Sequence, residues 1–156
     1  MTLTHEFFIL NQRYRKDIHK LIMSYQFDLI TICEEQIKVN DDFIVYIEDT
    51  LKFFKTVWPT DEVMDGLAYC GYSIIDTEQI AIAKKVFEGW KSLFLVAPQE
   101  FIMNGCYIEE EGYQGYEQLN WKQTDVIHTL DLLIDLCEQA LSSGYFILLC
   151  GILKGV

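Results

Sequence analysis

A small basic cluster near the start of the chain contains the residues best suited to chemistry. It consists of Arg13, Arg15, Lys16, His19 and Lys20. Guanidinium and ammonium groups that lie close together bind phosphate through charge-assisted hydrogen bonds, so this cluster could hold a phosphate. The competing interpretation is a solvated face that complements acidic surface elsewhere in the protein.

The spacing of two of these residues resembles a known motif. Five residues separate Arg13 from His19, and this matches the Arg-x(4–6)-His pattern of the HEPN ribonuclease families. The resemblance covers seven residues, and Tyr14 follows the arginine where those families have a polar residue. It implies an all-α protein that pairs such residues across a dimer and cleaves RNA. Arg13 and His19 are therefore the catalytic residues of an alternative, enzymatic hypothesis.

Other catalytic and metal-binding patterns are weaker. Asp125 and His128 have the three-residue spacing of metal sites in helical bundles, but the sequence has no second copy of the pair. Cys70 and Cys106 lie beside glycines with no histidine near them in sequence, and there is no nucleophile elbow or phosphate-binding loop. The preferred hypothesis therefore includes no catalytic residue, no metal and no cofactor.

Acidic residues are concentrated in the last third of the chain. Between Ser92 and Leu153 there are nine acidic residues and one basic residue, Lys122. Aromatic residues are interleaved with them: Tyr107, Tyr113, Tyr116 and Trp121. A surface of one charge attracts the opposite charge, and aromatic side chains are typical anchors of protein interfaces. This pattern predicts a docking face for a basic protein, although acidic residues that merely solvate the fold would give the same composition.

The predicted contact residues form two rows. The first row is Glu109, Glu110, Glu111, Tyr113, Tyr116 and Glu117, and the second is Asp131, Asp135 and Glu138. We interpret the chain as a protein-binding module, of the kind that bacterial immunity proteins represent, that masks a basic toxin or nuclease. A third hypothesis is a non-enzymatic helical scaffold that self-associates as a homodimer.

Apolar residues recur at three- and four-residue steps over most of the chain, and this spacing predicts helices. The predicted helices cover Thr4 to about Lys38, as one helix or as two with a bend near Ser24, and then Phe43–Phe54, Thr60–Tyr69, Asp76–Phe94 and Thr124–Leu141. The glycine-rich segment 104–120 predicts a loop, with or without a short hairpin. Residues 145–153 are apolar on all sides and fit either a helix or a strand; we favour a helix. The expected fold is an all-α, single-domain bundle of five or six helices over residues 1–156.

Charge and cysteine content limit the compartment and the partners. The chain has 24 acidic and 12 basic residues, a net charge of −12, which disfavours nucleic acid and anionic membranes as partners. Five cysteines without close spacing indicate a reducing cytosol rather than a disulfide framework. No signal peptide is evident, and the most apolar stretch has nine residues, which is too short to cross a membrane. The expected protein is cytoplasmic.

Overall fold

The computed structural model describes residues 2–24 and 29–154. Within these residues the strands are β1 (Thr2–Leu10), β2 (Glu35–Asn40), β3 (Lys55–Val57), β4 (Val63–Asp65), β5 (Gly71–Ile75), β6 (Glu100–Glu110), β7 (Tyr113–Lys122) and β8 (Phe146–Lys154). The helices are α1 (Ile18–Met23), α2 (Leu29–Ile32), α3 (Asp41–Leu51), α4 (Thr77–Phe94) and α5 (Gln123–Ser143). A 3-10 turn at Gln12–Tyr14 precedes α1.

The predicted all-α bundle is wrong, because a six-stranded antiparallel sheet forms the centre of the molecule. Its strand order is β2-β1-β8-β5-β3-β4. The last strand, β8, lies between β1 and β5 and pairs with both. The remaining two strands, β6 and β7, form a separate two-stranded sheet.

Side chains cover the six-stranded sheet on both faces. Phe7 and Ile9 of β1 point to one face, where they pack with α3, α4 and α5 in the larger core cluster. Phe8 and Leu10, the alternate residues of the same strand, pack on the opposite face against Ile18 of α1. The central strands are thus buried on both sides, as in a three-layer arrangement.

This burial explains why the first predicted helix is wrong at its start, where the structure has β1; within the same range, Ile18–Met23 and Leu29–Ile32 are helical. Phe7, Phe8, Ile9 and Leu10 are all nearly inaccessible to solvent, so β1 has none of the alternation between polar and apolar residues that marks a half-buried strand. An uninterrupted apolar run also contains residues at helical spacing, and we read those as one helical face from Thr4 to Lys38. Residues 25–28 of that predicted helix lie outside the described residues.

The same reason accounts for the error at the end of the chain. We favoured a helix for residues 145–153, whereas Phe146–Lys154 is strand β8. Ile147 and Leu149 belong to the larger core cluster and Leu148 to the smaller one. The predicted helix Thr60–Tyr69 is also wrong, since this segment holds the short strand β4 and turns.

Three of the predicted helices are confirmed, and each has a single buried face. In α3, Asn40 precedes the helix and its side chain accepts a hydrogen bond from the Phe43 amide at 2.9 Å. Helix α4 spans Thr77–Phe94. Helix α5 ends at Gly144, whose φ of 69° lies in the left-handed region that glycine adopts without strain.

The segment predicted as an irregular loop, residues 104–120, lies within the β6–β7 hairpin instead. The strands are eleven and ten residues long, so the hairpin is longer than the short one predicted as an alternative to the loop. None of the helices in the described ranges has the length and apolarity to span a membrane.

Two buried thiols predict that stability falls at alkaline pH. Burial raises the pKa of Cys137 and of Cys150 to about 12. Above the ordinary thiol pKa the unfolded chain loses these protons while the folded chain keeps them, so the free energy of unfolding decreases as pH rises from about 9 towards 12. We expect a loss of roughly 1 kcal/mol per thiol by about pH 10.

Urea unfolding at pH 8 and pH 10 measures this loss. Other groups also titrate in that range, so the Cys137→Ala/Cys150→Ala variant serves as the reference. An equally steep loss of stability in that variant would show that the thiols are not responsible.

Candidate protein-binding surface

The β6–β7 hairpin forms a second sheet, separate from the central one. In the part of the chain that the structure describes, β6 and β7 pair only with each other. The base of the hairpin rests on the core through Phe101 and Trp121. Both rings contact Phe94 of α4, with ring centroids 5.9 and 6.4 Å apart. This aromatic base anchors two long strands that extend beyond the larger core.

A change of register interrupts the pairing of the β6–β7 hairpin. The pairing is regular from Glu100↔Lys122 to Asn104↔Gln118, and resumes at Tyr107↔Tyr116 after an irregularity. A bulge of this kind places one extra residue in β6, so the side chains beyond it swap faces relative to a regular strand. One face therefore holds the half-buried residues together with the exposed Glu110, Tyr113 and Glu117, whereas the residues of the other face are all exposed.

The exposed face, which we call the outer face, has an aromatic pair at its centre. Its residues are Ile102, Asn104, Tyr107, Glu109, Gln114, Tyr116, Gln118 and Asn120. Tyr107 and Tyr116 pack edge to face with ring centroids 5.4 Å apart, yet they remain 57% and 52% exposed. Amide hydrogen bonds flank them, from Gln118 to Asn104 at 2.9 Å and from Gln114 to Glu109 at 2.8 Å. The outer face is thus ordered by its own side chains and still open to solvent.

The first row of predicted contact residues lies on this hairpin, but not all on one face. Glu109 and Tyr116 are on the outer face, whereas Glu110, Tyr113 and Glu117 follow the alternate positions. Glu111 lies in the turn between the strands. All six are exposed to solvent. The Tyr113 hydroxyl donates to the Tyr116 carbonyl at 3.1 Å and so ties the last turn of the hairpin together.

The hairpin carries uncompensated negative charge. Residues 107–117 include four glutamates and no lysine or arginine. Among the described residues, none of these four carboxylates forms an ion pair with a basic side chain. In the described part of the chain, no ion pair reduces the charge of these carboxylates. Their negative charges therefore add, and together they attract or repel an approaching charged molecule.

In the second predicted row, two of the three carboxylates form ion pairs. Asp131 lies 2.7 Å from the Lys91 ammonium, and Glu138 lies 3.3 Å from that of Lys84, so both link α5 to α4. The hydrogen bond and charge of Asp131 raise the pKa of Lys91. These two carboxylates therefore already have partners within the chain.

The two rows also lie at opposite ends of β1. Asp135 borders a hollow with Ile9 and Glu34, near the end of that strand. Glu117 borders a different hollow with Leu3 and Thr4, near its start. The structure therefore does not join the two predicted rows into one surface, and the hairpin alone keeps the features of a docking face.

Arg13 and His19 are each engaged by side chains of their own chain. The Arg13 guanidinium lies 4.8 Å from the centre of the Tyr14 ring and donates to its hydroxyl at 3.0 Å. His19 Nδ1 is 2.8 Å from the Tyr72 hydroxyl, and Nε2 is 2.6 Å from Asp61 Oδ1. Through its contact with Tyr72 of β5, His19 links α1 to the sheet. The HEPN resemblance also implied an all-α fold, which the six-stranded sheet contradicts.

Six of the eight residues of the outer face were missing from the predicted contact set, among them the exposed hydrophobic residues Ile102 and Tyr107. Ile102 is 61% exposed. The signal that would have found them is the two-residue alternation of exposed positions along β6, which the bulge before Tyr107 interrupts. Glycines at 105, 112 and 115 suggested a loop and concealed this alternation.

The described residues contain no group of three or more histidine, cysteine or carboxylate side chains arranged to hold a metal ion. Comparison of the chain with protein-family models, with curated proteins and with solved structures finds no match. The geometry of the chain itself therefore carries the functional argument.

The structure predicts that the tyrosines of the outer face contribute little to folding. Tyr107→Ala and Tyr116→Ala should each lower the free energy of unfolding by less than about 1 kcal/mol, since the rings are half exposed. Trp121→Ala should cost about 2 to 3 kcal/mol, because this ring joins the hairpin to the core.

Chemical denaturation of the three variants, followed by circular dichroism, provides the comparison. A large loss of stability in either tyrosine variant would mean that these rings hold the fold together, and would remove the reason to regard them as interface anchors.

Proposed function

We propose that this protein is a binding module that captures a basic protein partner through the β6–β7 hairpin, as an inhibitor of the immunity type. One observation on the exposed surface of the hairpin supports the proposal most directly. A hairpin separate from the main sheet carries a pair of exposed, contacting tyrosines on one face, with Glu109 beside them, and three further carboxylates on its turn and other face; in the described residues none of the four has a basic partner.

The tyrosines supply the short-range part of recognition. A tyrosine ring buries a large apolar area on contact and keeps a hydroxyl for hydrogen bonding, which is why tyrosine is enriched at binding hot spots. Tyr107 and Tyr116 already restrain each other through their edge-to-face contact at 5.4 Å. Less conformational entropy is then lost when a partner covers them.

The carboxylates supply the long-range part. Glu109, Glu110, Glu111 and Glu117 are exposed and lie within one hairpin of a chain whose net charge is −12. Their combined field would accelerate encounter with a positively charged surface and repel acidic proteins. The tyrosines would then slow dissociation.

The backbone adds a further means of contact. Within the described residues the outer edges of β6 and β7 pair with no other strand. Such an edge offers unpaired N–H and C=O groups to which an extended segment of a partner can add as a strand.

The chemistry of the surface favours a nucleic-acid-binding protein as the target. A nuclease or a nucleic-acid-directed toxin presents lysine and arginine to a phosphate chain. The exposed carboxylates around the turn of the hairpin can occupy the same basic surface and thereby exclude the nucleic acid. This is the basis for the proposed inhibitory role.

A charge-reversal experiment tests the proposal. Tagged wild-type protein and the variant Glu109→Lys/Glu110→Lys/Glu111→Lys are used to capture proteins from a lysate of the source organism at low salt. We expect the wild type to retain a basic protein that the variant loses. Its affinity for the wild type should fall by about tenfold or more between low and high salt, because screening weakens charge attraction.

The matched control is Glu35→Lys/Glu48→Lys/Glu62→Lys, which changes the net charge by the same amount at three exposed positions outside the hairpin. Capture that survives in this control and in Asp131→Asn, but not in the hairpin variant, supports the proposal. Equal loss in both triple variants would show that only net charge matters. Equal retention in both would place the contact elsewhere.

A further inference from the structure

Of the two strands of the hairpin, β7 has the more regular free edge. At the register irregularity, two residues of β6, Gly105 and Cys106, lie opposite the single residue Glu117 of β7. A bulge distorts the edge of the strand that contains it and hinders another strand from pairing there. Among the described residues, no backbone hydrogen bond joins β7 to a strand other than β6. The free edge of β7 is therefore a continuous template for one more strand.

Two sets of hydrogen bonds identify the backbone groups on this edge. The Gln123 N–H donates to the Gln99 carbonyl at 2.9 Å, which directs the odd-numbered positions of β7 towards β6. The Tyr116 carbonyl accepts from the Tyr113 hydroxyl and from the Gln118 side-chain amide, both at 3.1 Å and both within β7. In an antiparallel strand, the backbone groups of successive residues point to opposite edges. The N–H and C=O groups that face away from β6 therefore include those of Gln118 and Asn120.

A cleft runs along the free edge of β7. The consecutive residues 119–122 border a hollow of about 320 Å³, and its other lining residues come from α5 and from the start of α3. Consecutive side chains point to opposite faces of a strand, so a hollow that all four residues border lies at the edge of the strand. Asn40 and Asp42 also line a second hollow, of about 610 Å³, that extends to Glu117. We call these two adjoining hollows the β7 cleft.

The carboxylates of the β7 cleft indicate the charge of its occupant. Asp42, Glu117 and Asp125 are exposed, and within the described ranges none of them forms an ion pair with a basic side chain. Two lysines also border the cleft, and one of them, Lys38, already lies 3.7 Å from a carboxylate oxygen of Glu6. The cleft therefore attracts lysine and arginine side chains.

We infer that an extended segment of the partner, with lysine or arginine at alternate positions, adds as a strand to the free edge of β7 within the β7 cleft. This inference rests on the proposed function, because it specifies how the basic partner is held. Backbone hydrogen bonds to Gln118 and Asn120 supply affinity, and the carboxylates of the cleft select basic side chains on the face of the segment that meets them. Unlike charge attraction alone, this contact requires particular backbone N–H groups.

Amide hydrogen exchange, followed by NMR, tests the geometry. The probe is an octapeptide of alternating arginine and threonine at low salt. In the free protein the amides of Gln118 and Asn120 should exchange faster than those of Leu119 and Trp121, which face β6. The peptide should slow exchange at Gln118 and Asn120 by about tenfold or more, because their N–H groups gain acceptors. An octapeptide of alternating glutamate and threonine is the control and should have no effect. Unchanged exchange at saturating arginine peptide, or protection confined to β6, would overturn the inference.

Variants test the backbone and the charge separately, with fluorescence anisotropy of the labelled arginine peptide as the measurement. Asn120→Pro removes an outward N–H and leaves the pairing with β6 intact, since proline is tolerated at a strand edge. It should weaken binding by about fivefold or more, whereas Asn120→Ala, which keeps the N–H, should bind like the wild type. Asp42→Asn/Asp125→Asn should weaken binding by about tenfold, whereas Glu48→Gln/Glu78→Gln, at exposed positions outside the cleft, should not. Wild-type affinity in a folded Asn120→Pro variant, or in Asp42→Asn/Asp125→Asn, would contradict strand addition in this cleft.

Capture from lysate distinguishes this inference from the proposed function. If Glu109→Lys/Glu110→Lys/Glu111→Lys loses a basic protein that Asn120→Pro still retains as the wild type does, the proposed function is supported and strand addition is overturned. If the arginine peptide protects Gln118 and Asn120 but the wild type captures no basic protein, strand addition to β7 is supported and the proposed function is not.

Discussion

The position of β8 constrains the rest of the fold. This strand comes from the end of the chain and lies between β1 and β5, so its backbone is paired on both edges. Ile147 and Leu149 pack under the three long helices, and Leu148 packs against the opposite layer. Each such side chain contributes about 2 kcal/mol of hydrophobic stabilisation when buried. Gly151 is required in the same strand, because a Cβ there would overlap the Tyr69 carbonyl oxygen. Without β8, the two parts of the sheet, β2–β1 and β5–β3–β4, would have no common neighbour.

This constraint also explains which elements could be predicted from the sequence. Helices α3, α4 and α5 each cover one face of the sheet, so their sequences alternate between buried and exposed residues at helical spacing. β1 and β8 are covered on both faces and carry no such contrast. Whether an apolar run is a central strand or a buried helix depends on which residues lie beside it, and those residues are distant in sequence. The short strands β3 and β4, at three residues each, are below the length at which any pattern is visible.

The candidate site was predictable to a similar extent. The charge of the first row and the exposure of Tyr113 and Tyr116 follow from the type and local density of these residues, and the structure places all of them at the surface. Whether the carboxylates of the second row are ion-paired depends on lysines of α4, which is about 40 residues earlier in the chain. Lys84 and Lys91 lie on the side of α4 that meets α5, and they neutralise Glu138 and Asp131. A count of charges along a sequence cannot distinguish an ion-paired carboxylate from a free one, since the partner comes from tertiary contact.

Helix α4 therefore gives the molecule two chemically different surfaces. On one side its lysines pair with acidic residues of α5, and on the other its apolar residues line a groove with Phe53. Lysines that would otherwise attract the hairpin glutamates, or those of another copy, are held in ion pairs. Within residues 2–24 and 29–154, the glutamates of residues 107–117 form no ion pair with a lysine or arginine. A surface of exposed carboxylates attracts positively charged groups, whereas the groove offers apolar area and almost no hydrogen-bonding groups.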